Sequence, residues 1–175
     1  EKITSKVSDV FVEGKILMDE RVIREHYISK GFTDAQVSHT VEYKDSEVNV
    51  IFKISEGPQV VIAKISVQGT TIASERTFKS KMKLKEVGFL KDGFYQKSTL
   101  EADKQTLLAY YQERGYMDVG FVDVVITSEK NEKKNRNELT ITYIIQEGSQ
   151  YTYKGIEFHG NEVFSTEKLS AFMKL

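Results

Sequence analysis

The chain has no cysteine and only one proline in 175 residues. Without thiols it can hold neither a disulfide framework nor a thiolate metal site, although this leaves its redox compartment open. No charge sign dominates: 25 basic residues, scattered along the chain, stand against 26 acidic ones, for a formal net charge of −1. A nucleic-acid surface would gather Lys and Arg where phosphates lie, so that class is disfavoured. No apolar run approaches the roughly 20 residues that a membrane-spanning helix needs. No signal peptide is recognisable, which fits either a cytoplasmic chain or a piece of a processed, exported one. The glycine-containing loop Gly88–Gly93 lacks the Lys-Ser/Thr of a phosphate-binding loop. What remains is an ordinary globular composition, 39% hydrophobic, long enough for one or two domains with a buried core.

The pattern that is present centres on Ser98 to Asp118. Ser98 and Glu101 have the spacing of a capping box, and Leu100, Leu107 and Tyr111 form an apolar stripe at helical spacing, with Leu108 and Tyr110 beside it. Gly115 supplies a left-handed stop, with Arg114 placed against the last carbonyls and Tyr116 just beyond. The same stretch occurs 84 residues earlier. Ile16, Ile23, Tyr27, Gly31 and Phe32 overlay Leu100, Leu107, Tyr111, Gly115 and Tyr116. Both glycines are expected at positive φ, and Leu107 and Tyr111 in the core.

Around the two helices the period changes to two. Ala35 to Tyr43 and Val48 to Ile54 alternate as the arms of a hairpin that ends at Glu56-Gly57-Pro58. Val61, Ala63, Ile65 and Val67 read as the inward positions of a third strand, stopped by Gly69. Ser74 is a candidate cap for a helix with Phe78 and Met82 on one face. Val119 to Thr127 and Leu139 to Ile145 form a second hairpin joined by a charged turn, Ser128 to Asn137, and ended by Glu147-Gly148. From there the repeat offset is 91: Gly69, Ser74 and Met82-Lys83-Leu84 become Gly160, Ser165 and Met173-Lys174-Leu175. The extra seven residues lie in the second hairpin. One unit is therefore strand–helix–helix–strand–strand. Residues 59–148 form the complete copy, 1–58 the C-terminal portion of an earlier one and 149–175 the start of a third.

This arrangement resembles the POTRA domain, the repeat of BamA-type outer-membrane assembly proteins. The resemblance is carried by Ile65-Ser-Val-Gln-Gly69 and by Ile156-Glu-Phe-His-Gly-Asn161 with Phe164-Ser-Thr-Glu-Lys-Leu169. The helix endings Tyr111-Gln-Glu-Arg-Gly115-Tyr116 and Tyr27-Ile-Ser-Lys-Gly31-Phe32, and the unit ends at Gly57 and Gly148, carry it too. It covers the chain from about Ile16 onwards. Gly69-Thr70-Thr71 departs from it by lacking the Asn that follows Gly160, and the second hairpin turn is unusually long. The resemblance implies an α+β fold: tandem units, each a three-stranded mixed sheet with two helices on one face. It further implies the periplasmic part of an outer-membrane protein that receives unfolded barrel precursors by strand addition and docks other assembly subunits. A membrane barrel would then follow beyond Leu175. It implies no catalysis, cofactor or metal. A two-partner secretion or translocation-and-assembly transporter is the near alternative, and a cell-division protein fits a tandem array less well. A small α+β nucleic-acid module of KH type would need a basic Gly-x-x-Gly loop, which is missing.

Few side chains suggest chemistry. His26, His39 and His159 share no ligand spacing, and Glu129 to Arg136 reads as a solvated turn. The strand Val119–Thr127 differs. Overlaid on the first copy, its core face should carry Val119, Phe121 and Val125, with Asp123 in the same phase as a guard or the mark of a bulge. Its other face would hold Gly120, Val122, Val124 and Ile126, where the first copy has Gln36, Ser38, Thr40 and Glu42. An apolar outer face on a strand at a sheet edge is a candidate site for another polypeptide, whether a neighbouring unit, an assembly partner or a precursor strand.

Overall fold

Helix α3, Lys97–Gln112, turns Leu100, Asp103, Leu107 and Tyr111 inward, one residue per turn, and all four are buried. The computed structural model describes residues 3–172, so Met173-Lys174-Leu175 lie outside the described residues. Within them the order is α1 (Glu13–Ser29), β1 (Gln36–Lys44), β2 (Glu47–Ser55), β3 (Gln59–Gln68), α2 (Glu75–Lys81), α3, β4 (Gly120–Asn131), β5 (Arg136–Gln146) and α4 (Thr166–Phe172). The capping box does not form. Tyr95 N–H donates to the Val60 carbonyl at 3.3 Å, which brings the chain in along β3, and the helix starts at Lys97 with Gln96 as its N-cap. Ser98 is already inside the first turn. Ser74 does cap α2, accepting from Thr77 N–H at 3.3 Å.

A three-stranded mixed sheet has the order β3–β5–β4, with β3 parallel and β4 antiparallel to the central β5. Along β5, Leu139, Ile141, Tyr143 and Ile145 are buried, the strict alternation of a strand with one covered face. The helices α2 and α3 cover that face. Phe78 of α2 stacks on Tyr111 of α3 at 5.6 Å, and Ile62, Ile65, Val67, Met82 and Leu84 complete the core. The earlier unit consists of α1 and the two-stranded antiparallel β1–β2 hairpin. His39 of that hairpin meets Glu20 of α1 at 2.8 Å.

Both edge strands depart from simple alternation. In β3 the register shifts between Ile62 and Lys64, so Ala63, expected inward, is exposed, while Val61, Ile62, Ile65 and Val67 are buried. In β4 it shifts between Phe121 and Asp123, leaving Val122 as the extra residue. A bulge moves every later side chain to the opposite face. Asp123 and Val125, expected inward, therefore pair with Ile144 and Thr142 on the far side, while Val124 and Ile126 pair with the buried Tyr143 and Ile141.

The charged segment is also strand rather than loop for most of its length. Lys130 pairs with Asn137 and Asn131 with Arg136 before a single 3-10 turn, Glu132–Lys134, closes the hairpin. The Glu138 carboxylate accepts from Arg136 of its own strand at 2.7 Å and, across the hairpin, from Asn131 of β4 at 3.0 Å, a cross-strand bond that helps hold this extension in register. Residues 151–159, expected to begin with a strand, are in no strand.

Candidate polypeptide-binding edge

A three-stranded sheet has two edges, and this one treats them differently. Along β3 the N–H groups of alternate residues on either side of the bulge are each taken. Val60 donates to the Gly31 carbonyl at 2.7 Å and Ile62 to that of Gly93 at 2.7 Å. Beyond the bulge, Ile65 donates to the Glu86 carboxylate at 2.7 Å and Val67 to that of Glu75 at 3.3 Å. The carbonyls of Val60 and Ile62 accept from Tyr95 and Val87. The β3 edge is sealed by the Gly31 carbonyl, residues 87–95 and two carboxylates. Along β4 the only additional backbone bond among the described residues is internal, Val124 N–H to the Asp123 carboxylate at 2.7 Å. Among the described residues no other segment pairs there.

The four candidate residues do not share one face. Gly120 lies opposite the exposed Gln146, with open space where a side chain would be. Val122, in the bulge, is 66% exposed. Val124 packs against the core, and Ile126, on the same side, stays 40% exposed because the helices cover it only in part. Val125, on the far face, is 38% exposed. What the structure brings together is an unpaired backbone edge flanked by Val122, Val125 and Ile126.

The repeated motif residues build the junctions between units. Tyr27 meets Phe32 edge-on at 5.9 Å, and Tyr111 meets Tyr116 edge-on at the same distance. Gly31, Gly57, Gly69, Gly115, Gly148 and Gly160 all have positive φ. Past each helix stop the next segment is clamped in the same way. Gln59 donates from its side chain to the Lys30 carbonyl at 3.0 Å and Val60 N–H to that of Gly31. Gln150 donates to the Arg114 carbonyl at 2.9 Å and Tyr151 N–H to that of Gly115 at 2.8 Å.

A family model described as "POTRA: Surface antigen variable number repeat" matches residues 1–57 and 60–148. The chain belongs to the POTRA family. A Treponema pallidum protein named as an outer membrane protein assembly factor is 36% identical over 174 residues, which cover 99% of this chain and 21% of that protein. The outer membrane protein assembly factor BamA of Nitratidesulfovibrio vulgaris is 26% identical over 179 residues, covering 99% and 22%. The chain thus spans about a fifth of the length of these curated relatives. Among solved structures, POTRA3-5 of Haemophilus influenzae BamA aligns at TM-score 0.44 and 21% identity, over 95% of this chain and 64% of that one.

Two aspartates of the POTRA repeat escaped the sequence reading. Asp103 accepts from Lys83 N–H at 2.6 Å and Leu84 N–H at 2.8 Å, and Asp19 accepts from Thr4 N–H at 2.7 Å and Ser5 N–H at 2.9 Å. Burial disfavours the Asp19 carboxylate, but the bonds from Ser5 and Thr4 outweigh it and lower its pKa. The two are 84 residues apart, so the overlay of the helices held the signal. An acidic residue on an apolar stripe is the mark of a buried acceptor.

Glu147 at the unit's end accepts four bonds, two from Thr71, one from Ile72 N–H at 3.3 Å and one from the Tyr111 hydroxyl at 2.9 Å. Burial raises its pKa, yet these donors prevail and hold it at about 2, against an ordinary 4.5. A carboxyl depressed on folding stabilises the fold above its unfolded pKa and loses that contribution as pH falls through the folded one. Acid should therefore weaken the POTRA unit progressively between about pH 4.5 and 2. In Glu147→Gln that part of the acid slope, at most about 3 kcal/mol, should vanish in urea melts across pH. An unchanged slope would assign the acid sensitivity to other carboxylates.

Proposed function

We propose that the β4 edge receives an extended polypeptide as an additional strand, and that the polypeptide is an unfolded precursor of an outer-membrane barrel. The carrying observation is the asymmetry of the sheet: one edge is sealed at every outward N–H described, the other is open and flanked by exposed Val122, Val125 and Ile126. The relatives' role as outer membrane protein assembly factors supports the identity of the occupant. Strand addition needs only backbone and alternate side-chain contacts, which suits an occupant of variable sequence. The POTRA repeats then act in the periplasm, with a membrane barrel and other assembly subunits as partners. Residues 59–148 serve as the complete unit, flanked by portions of its neighbours in 1–58 and 149–175.

Four to six backbone hydrogen bonds at about 0.5–1.5 kcal/mol each yield a few kcal/mol, and ordering and association cost about 4 kcal/mol or more. The edge alone binds weakly and without regard to sequence. Covering Val122, Val125 and Ile126 adds about 1 kcal/mol or more apiece, which brings the interaction into a useful range while leaving release fast. An extended barrel-derived peptide titrated by NMR should shift the amides of β4 while sparing β3. In Val122→Asp/Val125→Asp, both changes at exposed positions, affinity should fall about tenfold or more. Undiminished binding by a folded double variant, or shifts centred on β3, would overturn the proposal.

A further inference from the structure

The segment that seals β3 ends in a feature that sealing does not require. Gly88 N–H donates to the Lys91 carbonyl at 2.9 Å and Lys91 N–H to that of Gly88 at 3.3 Å, so Phe89 and Leu90 occupy the tip of a two-residue hairpin turn. Phe89 is fully exposed and Leu90 is 89% exposed. The turn is firmly based. Val87 N–H reaches the Ile62 carbonyl at 2.8 Å, the Gly93 carbonyl accepts from Ile62, and Gly93 is buried at φ +65 against the Val87 backbone. Two large apolar side chains are thus held out on a rigid stalk.

The ground beside the stalk is basic in a chain that is otherwise balanced. From Lys79 to Asp92 there are five lysines, at 79, 81, 83, 85 and 91, against Glu86 and Asp92. Lys79 is neutralised by Glu75 and Glu86, at 2.7 and 2.8 Å, and Lys81 lies over the Tyr110 ring. Lys85 donates to the Lys79 and Met82 carbonyls at the end of α2. Lys83, Lys85 and Lys91 line one recess next to the tip, with Asp92 the acidic residue among them. Lys83 and Lys91 are exposed and make no ion pair described.

We infer that this turn is a shallow anchor for an anionic phospholipid surface, Phe89 and Leu90 entering the headgroup boundary while Lys83 and Lys91 meet the lipid phosphates. Size and charge together select this occupant. A stable protein interface buries about 800 Å² on each partner, far more than two side chains on a turn provide. An apolar wedge of this size beside clustered lysines suits the headgroup layer, where small buried apolar area and attraction to negative lipid add. The tip rises from the β3 side, and β4 is the opposite edge of the sheet. Membrane contact therefore leaves the free edge open, and the inference stands independently of strand addition.

The chain has no tryptophan, so Phe89→Trp installs a single fluorescent reporter at the tip. With vesicles of mixed phosphatidylcholine and phosphatidylglycerol its emission should shift to the blue and be quenched by lipids brominated near the headgroup. Pure phosphatidylcholine should give much less, and high salt should reverse the binding. In vesicle co-sedimentation of the otherwise native chain, Phe89→Ser/Leu90→Ser and Lys83→Gln/Lys91→Gln should each reduce partitioning about tenfold or more, with circular dichroism unchanged. No blue shift with the anionic vesicles, or co-sedimentation unaffected by the double serine variant, would overturn the inference. A shift seen only on adding a protein partner would do the same and assign the tip to protein docking.

Discussion

Gly115→Val is expected to lower the unfolding free energy by about 3–5 kcal/mol, against a change within about 0.5 kcal/mol for Lys130→Val on the exposed end of β4. Two independent causes add. Gly115 has φ +84, a region that a β-branched residue occupies only under strain. A Cβ there would also stand 2.5 Å from the Tyr151 carbonyl oxygen, which belongs to backbone and cannot swing aside. The damage should reach the junction first, because Gly115 O is the acceptor for Tyr151 N–H and its neighbour Arg114 O for the Gln150 side chain. Urea melts followed by circular dichroism measure the loss. NMR shifts centred on Gln150 and Tyr151 should accompany it. A loss below about 1 kcal/mol would show that the chain can leave the helix by another route.

Asp103→Ala should cost about 2–5 kcal/mol, although it removes only one small side chain. The carboxylate is buried and occupied by two amide donors, Lys83 N–H and Leu84 N–H. Alanine would leave both without a partner in a place water does not reach, at about 1–3 kcal/mol each. Asparagine keeps one acceptor oxygen and should fall between wild type and alanine. The diagnostic measurement is hydrogen exchange: Lys83 and Leu84 amides should lose protection in the variant while the β5 amides keep theirs. Equal protection at Leu84 in a folded Asp103→Ala protein would show that another group accepts its N–H.

Elements whose cause is local were legible in the chain itself. The apolar stripe of α3, the left-handed glycines after Tyr27 and Tyr111, and the alternation of Leu139 to Ile145 each follow from residue type and spacing within a few positions. The repeat at offset 84 multiplied that information, since the same helix ending appears twice, each time with an edge-on aromatic pair across the glycine stop, Tyr27 with Phe32 and Tyr111 with Tyr116. Ser98 shows the limit even of local signals. Its capping spacing was real, but β3 holds the preceding residues and the helix begins before it.

The phase of the edge strands was decided only by the tertiary structure. Among the apolar Val122, Val124, Val125 and Ile126 the one polar marker is Asp123, which signals a guard or a bulge without choosing between them, and the bulge at Val122 reverses the assignment of the residues after it. Ala63 was misplaced for the same reason. The state of the two edges lies further still from the sequence. Glu75 and Glu86 look like surface acids on a charged helix and loop, yet they close β3 because folding carries their carboxylates to Val67 and Ile65 N–H. Gly31 and residues 87–95 close the rest of it through backbone groups, which carry no residue-type signature. That β4 is the open edge follows from these long-range pairings, and hydrogen-bond geometry between distant segments is what a one-dimensional pattern does not contain.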